Sequence, residues 1–114
     1  MTTVFAKIIE GELPCKKVFE NERVIVFHDI NPKAAVHVLI VPKKEIRCLQ
    51  EVGQEDGELL AELFFVAQEV AKELKVDDGY RIVINNGKKG GQMVDHLHIH
   101  LIGGGTLTTH TELE

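Results

Sequence analysis

Long apolar runs, a basic excess and paired cysteines are all missing from this chain. No stretch approaches the roughly 18 continuous apolar residues that a bilayer-spanning helix needs, and no basic segment followed by an apolar one opens the N-terminus. Neither membrane insertion nor secretion is therefore expected. The two cysteines, Cys15 and Cys48, make neither a disulfide framework nor a Cys-x-x-Cys ligand pair, and read as free thiols in a reducing compartment, the cytoplasm. With a net charge of −5 the chain offers no basic stripe to a nucleic-acid polymer, although a single nucleotide needs only local phosphate binding. Repeats, low-complexity tracts and linkers are absent too. The 114 residues read as one domain, 1–114, with a core over 4–104 and a tail over 105–114.

What is present is a set of short elements. Phe5 to Glu10 can form a turn or two of helix that Gly11 stops. Lys17 to Glu20, Arg23 to Phe27 and Val36 to Val41 read as strands, with Glu20-Asn21-Glu22 as a tight connection and Pro42 as an end signal. In the third strand Val36, Val38 and Ile40 share one face, and His37, Leu39 and Val41 the other. From Glu55 to Leu74, Leu60, Leu63, Phe64, Ala67, Val70, Ala71 and Leu74 recur at three- and four-residue steps, which predicts one long amphipathic helix. A fourth strand follows over Tyr80 to Asn85. The pattern predicts an α+β domain, an antiparallel sheet with helices packed on one face.

The segment His96-Leu97-His98-Ile99-His100-Leu101-Ile102 alternates imidazole with aliphatic side chains and predicts a fifth strand. Successive strand residues face opposite sides, so the three rings share one face and Leu97, Ile99 and Leu101 the other. Histidine can serve as nucleophile, base or metal ligand near neutral pH. Immediately upstream, Asn86-Gly87-Lys88-Lys89-Gly90-Gly91-Gln92 is a glycine-rich loop, and Gly103-Gly104-Gly105 follows the strand. Backbone N–H groups exposed by such a loop next to nucleophilic imidazoles are what binding and activating a phosphate require, although hairpin turns use glycine as well.

The string from Asn85 through His100, with the Gly103-Gly104 that follows it, resembles the signature of the histidine triad superfamily and its nucleotide-binding, nucleoside phosphoramidase branch. Phe5-Ala6-Lys7-Ile8-Ile9 through Pro14, Asp29 to Ala34 and His37 to Lys43 resemble other segments of that branch, so the likeness covers roughly residues 4 to 104. The resemblance implies a histidine triad fold: a five-stranded antiparallel sheet, one long helix and one or two short ones, with two sheets joined in a homodimer. It implies that His98 attacks the α-phosphorus of a nucleoside 5′-phosphoramidate and that water then releases the monophosphate, AMP or GMP. His96 would orient the nucleophile, while His100 and His37 would flank the phosphate. Asn85, Gly91, Gln92, Met93 and Val94, through amides and backbone N–H groups, would stabilise the phosphoryl oxygens. His28, Asp29 and Ile30 would line the ribose site, and Val4, Phe5, Ile8, Phe27 and Leu39 an apolar slot for the purine. No cofactor and no metal are implied. Two departures from the branch stand out: Met93 replaces a common hydroxyl residue near the scissile bond, and Thr106 to Glu114 lacks a Trp-Pro-Pro ending.

Other readings compete residue by residue. On pattern alone Asp29 is a turn-capping carboxylate. Phe5, Ile8, Phe27 and Leu39 would be core residues, His37 a partly buried structural histidine, and Lys88 and Lys89 solvated loop charges. For the whole chain the alternatives are a dinucleoside polyphosphate hydrolase and a non-enzymatic nucleotide- or zinc-binding regulatory protein. Two strand histidines at i and i+2 with His37 could share one Zn²⁺, but no cysteine or carboxylate falls at a convincing ligand spacing.

Overall fold

The computed structural model describes residues 2–105 and 107. Of the tail, Thr106 and residues 108–114 lie outside the described residues, so the expectation that rests on the missing Trp-Pro-Pro ending lies there as well.

Helix α1 spans Val4–Ile9, where the hydroxyl of Thr3 accepts the Ala6 N–H at 3.1 Å, and Gly11 at φ +81° turns the chain out of it. Strands β1 (Lys17–Glu20) and β2 (Val24–His28) are joined at Asn21, whose side-chain oxygen accepts the N–H groups of both Arg23 and Val24. Strand β3 spans Val36–Pro42, helix α2 Gly57–Glu73, β4 Tyr80–Val83 and β5 Ile99–Gly103. Three short 3₁₀ turns, at Leu49–Glu51, Gln54–Asp56 and Lys88–Gly90, fill the connections. The sheet is antiparallel in the order β1-β2-β3-β5-β4.

Both faces of the central strands are buried, so they carry near-continuous apolar runs. On one face Val24, Val26, Val38, Ile40, Leu97, Ile99 and Leu101 pack under α2, which contributes Leu59, Leu63, Val66, Ala67, Val70 and Ala71 at helical spacing. A fully buried Leu or Val contributes roughly 1.5–3 kcal/mol, and this face holds most of them. Phe64, expected in that stripe, is instead 44% exposed and its neighbour Phe65 64%. On the other face Ile25, Phe27, Leu39 and Val41 meet Phe5 of α1. The two helices therefore lie on opposite faces rather than together, and the histidines share their face with the short one.

The fifth strand starts later than the alternation suggests. Pairing with β3 runs only from Ile40↔Ile99 to Val36↔Gly103. His96 and Leu97 send their N–H groups to the carbonyls of Val94 and Ile46 instead. Further along β3 stands Pro42, which has no N–H to extend a ladder, and its carbonyl is taken by the His96 ring at 2.7 Å. His96 and His98 thus sit in the extended approach to β5 and only His100 in the strand proper. The alternation of faces nevertheless persists, with Leu97 in the α2-side core and Phe5 against both His96 and His98.

Candidate active site

Four imidazoles converge on the α1 face, all nearly buried: His37 and His96 at 2% exposure, His100 at 4% and His98, the most open, at 7%. Phe5 stands edge-on to His98 with ring centres 5.0 Å apart, and His98 and His100 are 5.1 Å apart. His37 lies beside His100 because β3 and β5 are neighbours, Leu39 being paired with His100.

The hydrogen bonds assign the protons. A carbonyl only accepts, so the contact of His98 Nδ1 with the His96 carbonyl at 2.7 Å requires the proton on Nδ1 and leaves Nε2 of a neutral ring as a lone pair. By the same logic His96 carries its proton on Nε2, donated to the Pro42 carbonyl. The backbone N–H of Lys33 donates to His37 Nδ1 at 3.0 Å, which puts the His37 proton on Nε2, 2.9 Å from His100 Nδ1. His100 is then the acceptor on Nδ1 and holds its own proton on Nε2, a buried nitrogen with no partner. The triad thus offers a lone pair on one ring and an unpaired N–H on the next. Burial lowers the pKa of His98, opposed by its hydrogen bond to His96, and lowers that of His100 to about 4, with the rings of His98 and His37 adding to the effect. Burial also lowers the pKa of His37, against the pull of Asp29. These three rings are neutral at pH 7.

Asp29 enters the site through its backbone, whose N–H bonds the His37 carbonyl at 2.9 Å. One carboxylate oxygen caps the Asn31 N–H at 2.8 Å; the other faces His37 Nε2 at 3.4 Å. A carboxylate thus joins the histidines, contrary to the expectation that none has ligand spacing. Asp29, His37 and His100 bring ligand atoms within 4.8 Å of one another, the one such group of three among the described residues. A cation on His37 Nε2 would require a proton on Nδ1, which the Lys33 N–H already occupies as donor. This hydrogen bond works against a resident metal.

In the glycine loop Gln92 is committed elsewhere. Its Oε1 accepts the Gly87 N–H, its Nε2 donates to the carbonyls of Arg47 and Val94, and its own N–H goes to Gly87. The Gly91 N–H is likewise used, on Lys88. Gln92 and the Gly91 amide, expected at the phosphate, thus build the loop in this structure. Asn85 has a buried side-chain N–H₂ without a partner, and Gly91, at φ +91°, comes close to it in a conformation costly for any other residue. Hydrogen bonds within the described residues do not engage the N–H groups of Met93 and Val94, and the Met93 side chain is 79% exposed.

Of the nucleoside-slot residues, Phe5, Phe27 and Leu39 are gathered in one buried cluster with Ile8 and Val94 against it, while Val4 and Ile30 are 45% and 91% exposed and His28 is exposed at the end of β2. A separate cavity of about 350 Å³ between α1 and β1, lined by Ile8, Leu13, Cys15 and Ile25 among others, contains none of the histidines. Sequence reasoning missed the Lys33 amide and the carbonyls of Pro42 and Arg47, backbone groups whose roles no side-chain pattern announces.

The HIT domain family pattern matches residues 10–107. An uncharacterized HIT-like protein of Chlamydia muridarum is 53% identical over 107 residues, 94% of this chain and 85% of that one, and one from Synechocystis is 47% identical, covering 90% of each. Among solved structures, a histidine triad protein from Clostridium difficile superposes with a TM-score of 0.92 at 39% identity, covering 96% of both chains. A HIT family hydrolase from Legionella pneumophila does so with 0.92 at 41%, covering 96% of this chain and 98% of that one. A histidine triad nucleotide-binding protein from Candida albicans reaches 0.80 at 33%, covering 96% and 86%. With its ordered histidines, sheet and helices all matched over nearly the whole chain, this protein belongs to the HIT domain family.

Proposed function

We propose that this protein is a purine nucleotide-binding hydrolase that cleaves nucleoside 5′-phosphoramidates to a nucleoside monophosphate and an amine. The observation that carries the reading is the His98 ring, its Nδ1–H held by the His96 carbonyl and its Nε2 left as a lone pair beside the unpaired Nε2–H of His100. In the first step His98 Nε2 forms a bond to phosphorus as the bond from phosphorus to the amine breaks, and the departing nitrogen takes up a proton from solvent. In the second, water forms the new P–O bond, the P–N bond to His98 breaks, and the water's proton is released. The ring ends as it began, and one hard substitution is divided into two easier ones.

His100 Nε2–H, Asn85 Nδ2 and the N–H groups of Met93 and Val94 are the donors available to the phosphoryl oxygens. Asp29 would accept from the sugar hydroxyls, between His28 and Ile30. Phe5, Ile8, Phe27 and Leu39, with exposed Val4, would wall the purine. The names of the hydrolase and nucleotide-binding neighbours agree with this reading. A homodimer fits the open edge of β4 and the exposed Phe64 and Phe65, and a cytoplasmic location fits the two unpaired cysteines.

The test is incubation with an adenosine 5′-phosphoramidate and mass spectrometry of the quenched protein. Wild type is expected to carry an adenylyl group on His98 and to release AMP, while His98→Ala carries none and loses activity by roughly a thousandfold or more. Label that persists in His98→Ala overturns the assignment.

A further inference from the structure

The segment between β2 and β3 folds around His37 and holds it twice: the Asp29 N–H donates to the His37 carbonyl at 2.9 Å, and the Lys33 N–H to ring Nδ1 at 3.0 Å. The second bond sets the site. With Nδ1 occupied as an acceptor, His37 presents Nε2–H to His100 Nδ1 at 2.9 Å, and His100 keeps its own proton on the buried, unpartnered Nε2. The chain of protons therefore starts at a loop amide.

What that loop packs against lies on another strand. β5 ends where Gly103 pairs with Val36, and Gly104, at φ +86°, lies against the last two residues of the segment. A Cβ at 104 would stand 2.9 Å from the Ala35 Cβ, 3.2 Å from the Val36 nitrogen and 3.4 Å from Val36 Cγ2. The first of these is closer than Cβ atoms approach in folded proteins, so one side has to shift. Val36 is held in the ladder; Ala35, exposed and two residues from Lys33, is the part free to give way. The neighbouring glycine faces elsewhere. A Cβ at Gly103 would meet Val76 at 3.1 Å and the Gly79 carbonyl oxygen at 3.4 Å, on the side of the α2 core to which Val76 belongs.

We propose that Gly104 is a positioning residue: the bare backbone at the exit of β5 lets the segment before β3 close far enough for the Lys33 amide to reach His37, which through that ring keeps His100 an Nε2–H donor. A side chain at 104 pushes Ala35 outward and lengthens the bond from Lys33 to His37. Nδ1 of His37 then loses its donor, and the ring can hold its proton on either nitrogen. With the proton on Nδ1, His37 turns a lone pair toward His100, which answers by donating from its own Nδ1 and is left with a lone pair at Nε2. That the His100 Nε2–H serves a phosphoryl oxygen rests on the phosphoramidate reading above; the packing and the proton arrangement do not depend on it.

The test reads the His37 and His100 tautomers by ¹⁵N NMR in the free full chain, for wild type, Gly104→Ala, Gly104→Asn, Gly103→Ala and the double variant Gly104→Ala with Ala35→Gly. Asparagine adds the same Cβ but tolerates a positive φ better, so it separates the contact from backbone strain and carries the test if the alanine variant does not fold. Wild type and Gly103→Ala are expected to hold both rings as Nε2–H, the latter with a loss of stability alone. Both Gly104 variants are expected to populate the Nδ1–H form of the two rings. The double variant, which removes the opposing methyl, is expected to return them to Nε2–H. With an adenosine 5′-phosphoramidate, kcat is expected to fall about tenfold or more in the Gly104 variants, toward the roughly 10²–10³-fold cost of losing one donor to a developing negative charge, with KM changing less, and to recover in the double variant. Folded Gly104 variants whose rings stay wholly Nε2–H, a Gly103→Ala variant that shifts them equally, or a double variant that regains stability without regaining the tautomers each overturns the proposal. Should the wild type neither bind nor cleave nucleotides, the phosphoramidate reading fails, while the tautomers, read without ligand, still decide the role of Gly104.

Discussion

His98 Nδ1 lies 2.7 Å from the carbonyl oxygen of His96, so one histidine of the alternating segment fixes the tautomer of the next through the main chain. Here the residue two positions upstream in extended backbone places its carbonyl at the ring, which ties the i, i+2 spacing to chemistry as well as to facing.

The pH profile follows from burial. The His98 and His100 rings bind protons less readily in the folded protein than an ordinary histidine near 6.5, His100 only at about 4. The neutral nucleophile therefore persists below 6.5, and kcat/KM is expected to be level from pH 6.5 to 8 and to fall only in more acid solution. Stability moves with the same sign. Between 6.5 and about 4 the unfolded chain binds more protons at these rings, so stability drops as pH falls through that window. Urea midpoints at pH 7 and pH 5 check it, and an acid limb centred at or above 6.5 would contradict the buried, neutral triad.

Gln92→Leu is expected to destabilise the fold by roughly 2–4 kcal/mol, since it strips partners from the Gly87 N–H and from the Arg47 and Val94 carbonyls at once. Denaturant titration measures this directly. A loss of activity with unchanged stability would return Gln92 to the phosphate.

Met93→Ser removes an exposed apolar side chain, so its effect on stability is expected to stay within about 0.5 kcal/mol. Its effect on turnover is expected to be larger: faster phosphoramidate hydrolysis, or a changed order of preference among leaving amines. Steady-state rates across a series of amines check this, and identical rates would show that Met93 does not bear on the leaving group.

Wild type is expected to scatter light as a dimer at micromolar concentration, and Phe65→Lys to shift it toward monomer, because a charge on a 64%-exposed aromatic opposes its burial against a second copy. Monomer mass for the wild type would remove the dimer from the reading.

The sequence by itself determined the element types, the two-faced alternation of the central strands and the presence of a nucleophilic histidine face, because side-chain periodicity follows directly from backbone geometry. The Asn85-to-His100 string also carried the family. Where β5 begins was decided by Pro42, a residue on another strand, and the faces taken by α1 and by Phe64 were decided by which surfaces remained to be covered. The proton pattern was decided by the Lys33 amide and the carbonyls of His96 and Pro42, and the spending of Gln92 by the backbone of Arg47, Gly87 and Val94. Backbone donors and acceptors are the same at nearly every residue, so their pairing has no signature in the order of side chains and exists only once distant segments have been brought together.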